Sequence, residues 1–99
     1  MRPIHLAQMD KVRPVLILTR DVVRPHLEYV TVAPITTNAR GLSTEVHVGS
    51  ANGLDARSVV NCDGIVTLPA SDLGRQIGGL LDAQELALSE AIRAAFDLA

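Results

Sequence analysis

Apolar residues fall in short dense runs as far as residue 80, then switch to a three-and-four spacing at the end of the chain. Val15-Leu16-Ile17-Leu18 is the densest run, and a short branched-aliphatic stretch between polar residues predicts a strand buried on both faces. Pro14 has no backbone donor and is expected to open that strand, which leaves Arg13 at its mouth within reach of solvent. Ile4–Gln8 predicts a first strand, joined to the second by a very short Met9-Asp10 connection. Arg20 to His26 is charged, contains Pro25 and reads as a loop. Leu27–Ala33 is a β-branched strand expected to end at Pro34, followed by a polar loop from Ile35 to Gly41. Thr44–Val48 alternates as a strand with one wet face does. Gly49 to Asp55, with Asn52-Gly53 inside it, predicts a hairpin-type turn. Ser58–Cys62 and Ile65–Leu68 are short strands around Asp63-Gly64, the second ended by Pro69. Gln76–Leu80 is a last strand whose glycines permit bending or close backbone approach.

Only the end of the chain has helical period. Asp82 and Glu85 form a capping-box pattern before Leu86-Ala87-Leu88. Leu88, Ala91, Ile92, Ala95 and Phe96 make one apolar stripe, with Glu90, Arg93 and Asp97 on the other side. The fold class expected is mainly β with a C-terminal α-helix, a small, strongly curved or barrel-like sheet with the helix packed on it. Without repeats, low-complexity segments or a linker, residues 1–99 form one domain.

Composition narrows this picture. The chain is 47% hydrophobic but has only Tyr29 and Phe96 as aromatics, so its core must be built from Val, Ile, Leu and Ala. Cys62 stands alone, which excludes an internal disulfide and a multi-cysteine zinc site; it is expected as a small buried hydrophobe within a strand. No apolar run reaches membrane-spanning length and no secretion leader is visible, so a cytoplasmic protein is the expectation. A net charge of -2 argues against a generic nucleic-acid coat protein. It conceals an asymmetry, since Arg2, Lys11, Arg13, Arg20, Arg24, Arg40 and Arg57 precede a segment in which only Arg75 and Arg93 oppose six carboxylates. A locally bound polyanion and ordinary surface charge both fit that asymmetry.

Several chemistries lack their residues. The glycines form no phosphate-cradling strand–loop–helix signature, and no nucleophile elbow is present. His5, His26 and His47 are too dispersed for a metal site. His47 is the best acid–base candidate, but local spacing supplies no partner, and an exposed surface histidine is the simpler reading. What remains is Arg13 at one strand mouth and Thr36-Thr37-Asn38 after another. These residues either converge on one rim of the sheet or are a structural arginine and a turn-forming segment.

Val12-Arg13-Pro14-Val15-Leu16-Ile17, Val32-Ala33-Pro34-Ile35-Thr36 and Gly41-Leu42-Ser43-Thr44-Glu45-Val46 resemble successive signature blocks of the MazF/PemK/Kid toxin family. Gly53-Leu54-Asp55, the stretch from Ser58 to Asp63, and Ile77-Gly78 before the helix continue the match in order, over nearly the whole chain. The resemblance implies a small SH3-like barrel of the CcdB/PemK type and a homodimer. It implies the toxin of a type II toxin–antitoxin pair: a metal-independent, sequence-selective endoribonuclease acting on single-stranded RNA, without a cofactor. A cognate antitoxin would occupy the RNA groove through an acidic, extended segment. Arg13 matches the family's catalytic arginine and Thr36 its catalytic hydroxyl residue. Lys11, Arg20, Thr37, Asn38 and Arg40 are then expected to meet RNA phosphates or base edges. The chain departs from the pattern in its short Gln8–Val12 connection, in Thr19-Arg20 where relatives often carry Ser-Asn, and in Gly64 where many carry glutamine. A relative that binds a protein target such as DNA gyrase, or a silent RNA-binding module, would share the barrel without needing the Arg13/Thr36 pair.

Overall fold

Val15, Leu16 and Ile17 are all fully buried, because the strand that carries them has a hydrophobic cluster on each face. Leu16 points into the larger cluster, with Ile4, Ile35, Val60 and Leu80 and the buried helix residues Leu88 and Ala91. Val15 and Ile17 point the other way, onto Ala7, Val30, Val32 and Leu68. Each fully buried aliphatic side chain contributes about 1.5–3 kcal/mol.

The computed structural model describes all residues 1–99. Its strands are β1 (Arg2–Gln8), β2 (Val12–Ile17), β3 (Tyr29–Thr36), β4 (Glu45–Val48), β5 (Ser58–Asn61), β6 (Val66–Pro69) and β7 (Leu73–Leu80), followed by helix α1 (Glu85–Phe96). Every pairing is antiparallel, in the order β4-β5-β3-β2-β1-β7 with β6 on β3. The sheet curls into a half-barrel under the terminal helix, as expected for this class. No helix is long and apolar enough to cross a membrane.

Of the three prolines expected to mark strand limits, Pro69 ends β6, whereas Pro14 and Pro34 lie inside strands. Pro14 is the third residue of β2, opposite Leu6, ahead of the part of β2 that pairs with β3. β3 does not end at Pro34 but runs on to Thr36. Tyr29 to Val32 pair with β6, whereas Ile35 and Thr36 pair with β5. Pro34 falls in the gap between those two ladders, where a missing N–H breaks no sheet hydrogen bond.

Other boundaries shift for local reasons. β4 and β5 are antiparallel neighbours, but their connection is a 3-10 helix (Ser50–Asn52) followed by Gly53 at φ 85°, not a tight two-residue turn. Cys62 is buried as expected, yet it opens a 3-10 turn after β5 rather than ending the strand. Burial, with Asp63 adding to it, pushes its thiol up to about 11, so it is a packing group. β7 begins at Leu73, earlier than Gln76.

The Asp82/Glu85 capping box does not form. A 3-10 turn (Asp82–Gln84) precedes α1, and the Gln84 Oε1 accepts the Leu81 N–H at 2.9 Å. Glu85 is instead gripped by Arg2, whose Nε and Nη2 donate to its two oxygens at 3.1 and 2.9 Å. That guanidinium holds the Glu85 carboxyl below its usual range and ties β1 to the start of α1. On the helix stripe Leu88 and Ala91 are buried and Ile92 and Ala95 partly so, while Phe96 is exposed.

The glycines of β7 serve close approach. A Cβ on Gly78 would lie 1.9 Å from the Asn52 carbonyl oxygen, and one on Gly53 would lie 2.1 Å from that of Ile77. Asn52, 2% exposed, donates to the Gly79 carbonyl and to Gln84, so this contact locks the β4–β5 connection onto β7. Gly78→Ala is therefore expected to lower stability by about 2–3 kcal/mol. Chemical denaturation of the two proteins side by side measures it.

Candidate active site

The β2–β3 register decides what faces what at the sheet's rim. Val15 lies opposite Pro34, Leu16 opposite Ala33 and Ile17 opposite Val32. Arg13 and Thr36 each stand two residues beyond the Val15–Pro34 pair, where the β2–β3 ladder has ended, and both line the cleft there. Arg13 follows a three-residue turn, Met9 to Lys11, closed by the Met9 N–H donating to the Lys11 carbonyl at 3.0 Å. The turn places Asp10 against the guanidinium. Nε donates to Oδ1 at 2.8 Å and Nη2 to Oδ2 at 2.9 Å, a bidentate pair. The hydrogen bond from Arg13 holds the Asp10 carboxyl well below the usual carboxylate range, and the same contact raises Arg13. The Arg13 side chain is 30% exposed, so solvent reaches it as expected. Asp10 uses two of its five N–H donors and leaves the others for a ligand.

Thr36 stands at the last position of β3. Its Oγ1 accepts the Asn38 N–H at 3.1 Å, which fixes the oxygen and leaves its own proton free to donate. Arg13, Thr36, Asn38 and Arg40 line one cleft of about 340 Å³, together with Glu45 and Asn61. Arg13 and Arg40 supply positive charge, and Thr36, Asn38 and Asn61 supply neutral hydrogen-bonding groups. Such a cleft is suited to a phosphodiester with a hydroxyl beside it.

Size does not select the site. A larger concavity of about 940 Å³ lies behind the same segment and holds Thr37, Ala39, His47 and Arg57. Side chains along 36–40 alternate between the two hollows, which separates Thr37 from Thr36. His47 is exposed on β4 and makes no side-chain hydrogen bond, as the surface reading has it. Lys11 sits exposed on the β1–β2 turn and lines neither hollow. Arg20 lies past the far end of β2, in a third hollow with Arg2, Asp21 and Glu85. A six-residue strand spans about 20 Å, so Arg13 and Arg20 cannot share a pocket. Nowhere in the chain are three His, Cys, Asp or Glu side chains grouped so as to hold a metal ion.

Asp10, Glu45 and Asn61 escaped the sequence reasoning. Asp10 had a legible signal, an acid three residues before Arg13 across a connection too short to carry it elsewhere. Glu45 and Asn61 had none, since β4–β5 and β3–β5 pairing bring them to the cleft.

The family model for PemK-like, MazF-like toxins of type II toxin–antitoxin systems matches residues 3–96. The chain belongs to that family. Over 98 residues it is 69% identical to Endoribonuclease MazF3 of Mycobacterium tuberculosis, covering 99% of this chain and 95% of that protein. Its fold superposes on Mycobacterium tuberculosis toxin MazF-mt6 with a TM-score of 0.97 at 68% identity, over 99% of each chain. It also superposes on a mycobacterial endoribonuclease in complex with its cognate antitoxin, with a TM-score of 0.88 at 26% identity, over 98% of this chain and 93% of that one.

The Asp10–Arg13 contact has a direct spectroscopic signature. A carboxyl held down by its partner adds stability above its unfolded pKa and loses it as pH falls toward the depressed value. In an NMR pH titration the Asp10 carboxyl is expected to change below the ordinary range, and Arg13→Ala to return it to about 3.9. An unmoved Asp10 in the variant would contradict the pairing.

Proposed function

We propose that this toxin is an endoribonuclease that cuts single-stranded RNA through the ribose 2′-hydroxyl next to the scissile phosphate. The observation that carries this reading is the Arg13 fork and the Thr36 hydroxyl opening onto one cleft, each already fixed by a neighbour. In the step, the 2′-oxygen bonds to phosphorus and loses its proton. The P–O5′ bond breaks and the leaving oxygen takes up a proton, so the products end in a 2′,3′-cyclic phosphate and a 5′-hydroxyl. The phosphorane gathers negative charge, which a guanidinium held by Asp10 meets without reorganisation. Thr36 donates to a phosphoryl oxygen and holds the substrate in line. Because the substrate brings its own nucleophile, neither a metal ion nor a protein nucleophile is called for, and DNA is not a substrate. Asn38 and Arg40 line the same cleft and serve the flanking nucleotides, whereas Lys11, Arg20 and Thr37 would meet only RNA that extends beyond it.

The free guanidinium donors of the same cleft suit an acidic, extended antitoxin segment, a reading supported by the antitoxin-bound relative. A messenger-RNA substrate puts the protein in the cytoplasm. We also read the active form as a homodimer, because Leu86, Phe96 and Leu98 are 71%, 55% and 59% exposed and need a cover.

With chelator present, the unaltered protein is expected to cut a defined single-stranded transcript to cyclic-phosphate ends. Arg13→Ala should lower the rate by about 100- to 1,000-fold, and Thr36→Ala by about 100-fold. A 2′-deoxynucleotide at the mapped cut site should abolish cutting there. Binding without cleavage by the unaltered protein would leave an RNA-binding module and end the enzymatic reading. In sedimentation analysis the mass is expected to be that of two chains; a stable monomer at micromolar concentration would refute the dimer.

A further inference from the structure

Between β3 and β4 the chain makes a polar loop from Thr37 to Thr44 that forms one wall of the cleft. The loop has no regular structure of its own. What shapes it is the side chain of Glu45, the first residue of β4. Its Oε1 accepts the Leu42 N–H at 3.0 Å, and the Arg40 N–H lies 3.2 and 3.1 Å from its two oxygens. Gly41, between those donors, has φ 71°, the left-handed turn that lets successive N–H groups converge on one anion. No atom lies within 4 Å of where a Gly41 Cβ would stand, so the turn itself, not crowding, calls for glycine. The Glu45 N–H closes the loop by donating to the Leu42 carbonyl at 3.1 Å. The Leu42 N–H, with those of Arg40 and Gly41, holds the Glu45 carboxyl below its usual range.

The choice of partner matters. Glu45 spends its charge on main-chain donors and forms no ion pair with the Arg40 guanidinium. That guanidinium makes no hydrogen bond to any group of the chain and feels Glu45 only as a nearby charge, while Arg40 lines the cleft with Arg13 and Thr36. A carboxylate that gripped the Arg40 side chain would neutralise it, as Asp10 partly does for Arg13.

We propose that Glu45 is a positioning residue for RNA binding: seated on the loop backbone, it keeps the Arg40 guanidinium free and aimed into the cleft, where it binds a phosphate flanking the scissile one. This rests on the endoribonuclease reading and adds to it a residue that acts through the loop backbone. Because Glu45 acts through Arg40, its effect belongs to substrate binding rather than to the chemical step, and it vanishes when Arg40 is gone.

A double-mutant cycle tests this with a single-stranded RNA oligonucleotide that carries one mapped cut site. Glu45→Ala is expected to raise KM about tenfold while kcat stays within about threefold. Glu45→Gln, which keeps one acceptor oxygen and the side-chain shape, should recover most of the loss. Arg40→Ala should raise KM similarly, and adding Glu45→Ala to it should change KM by less than about twofold. Equal losses from Glu45→Ala with and without Arg40, or a fall in kcat with KM unchanged, would overturn the proposal. So would an unchanged KM in Glu45→Ala. Should Glu45→Ala fail to fold, the same cycle is run with Glu45→Gln, whose smaller KM rise must likewise disappear in the Arg40→Ala background. Failure of the underlying reading shows separately, as absence of cutting by the unaltered protein. In that event the RNA stays intact, and its dissociation constants read out the same cycle.

Discussion

The register between β2 and β3 is the constraint on which the rest of the site depends. A one-residue slip would turn Leu16 out of the larger cluster and Val15 and Ile17 out of the smaller one. Three fully buried aliphatic side chains, at about 1.5–3 kcal/mol each, oppose that slip. The same slip would separate Arg13 from Thr36. Core packing on both faces of a single strand thus sets the spacing of two polar groups at its exposed end, and neither group needs a bond to the other.

Carboxylates organise the cations around this frame, each in a different way. Glu85 grips Arg2 to fasten the first strand to the helix, a purely structural use. Asp10 grips Arg13 with two donors and leaves the remaining N–H groups facing the cleft, so charge is oriented without being fully neutralised. Glu45 leaves the Arg40 side chain alone and holds its backbone. Glu45 lines the cleft and Asp10 holds the arginine that lines it, so formal charges there cancel, and what an anion meets is the guanidinium donors the two carboxylates leave unused. That is a stronger statement than charge counting allows, because the chain as a whole carries -2.

Much of this was legible before any coordinates. The two-faced burial of Val15 to Ile17 followed from an unbroken aliphatic run, and the helix stripe from its spacing. The solvent access of Arg13 follows from the cost of burying a guanidinium, although β2 starts one residue before it. The errors share a cause. The missing donor of proline predicts strand limits at Pro14 and Pro34, but whether that donor is needed depends on which neighbouring strand lies alongside. The Asp82/Glu85 capping box was read locally, whereas Glu85 answers to Arg2, far away in sequence. The length of β2 carries Arg20, expected to meet RNA, to the end opposite Arg13, a separation that only the strand's span reveals.

The sequence by itself determined the class of fold, the makeup of the core and, through six ordered blocks, the family. Those follow from local periodicity and residue order, which the chain carries wherever it goes. Tertiary structure alone decided that Ile35 and Thr36 finish a strand instead of lying in a loop, that Thr37 faces a different hollow, and that Glu45 and Asn61 reach the cleft. Antiparallel pairing joins residues far apart in sequence, and its register is set by the summed burial of both partners, a quantity no single segment contains.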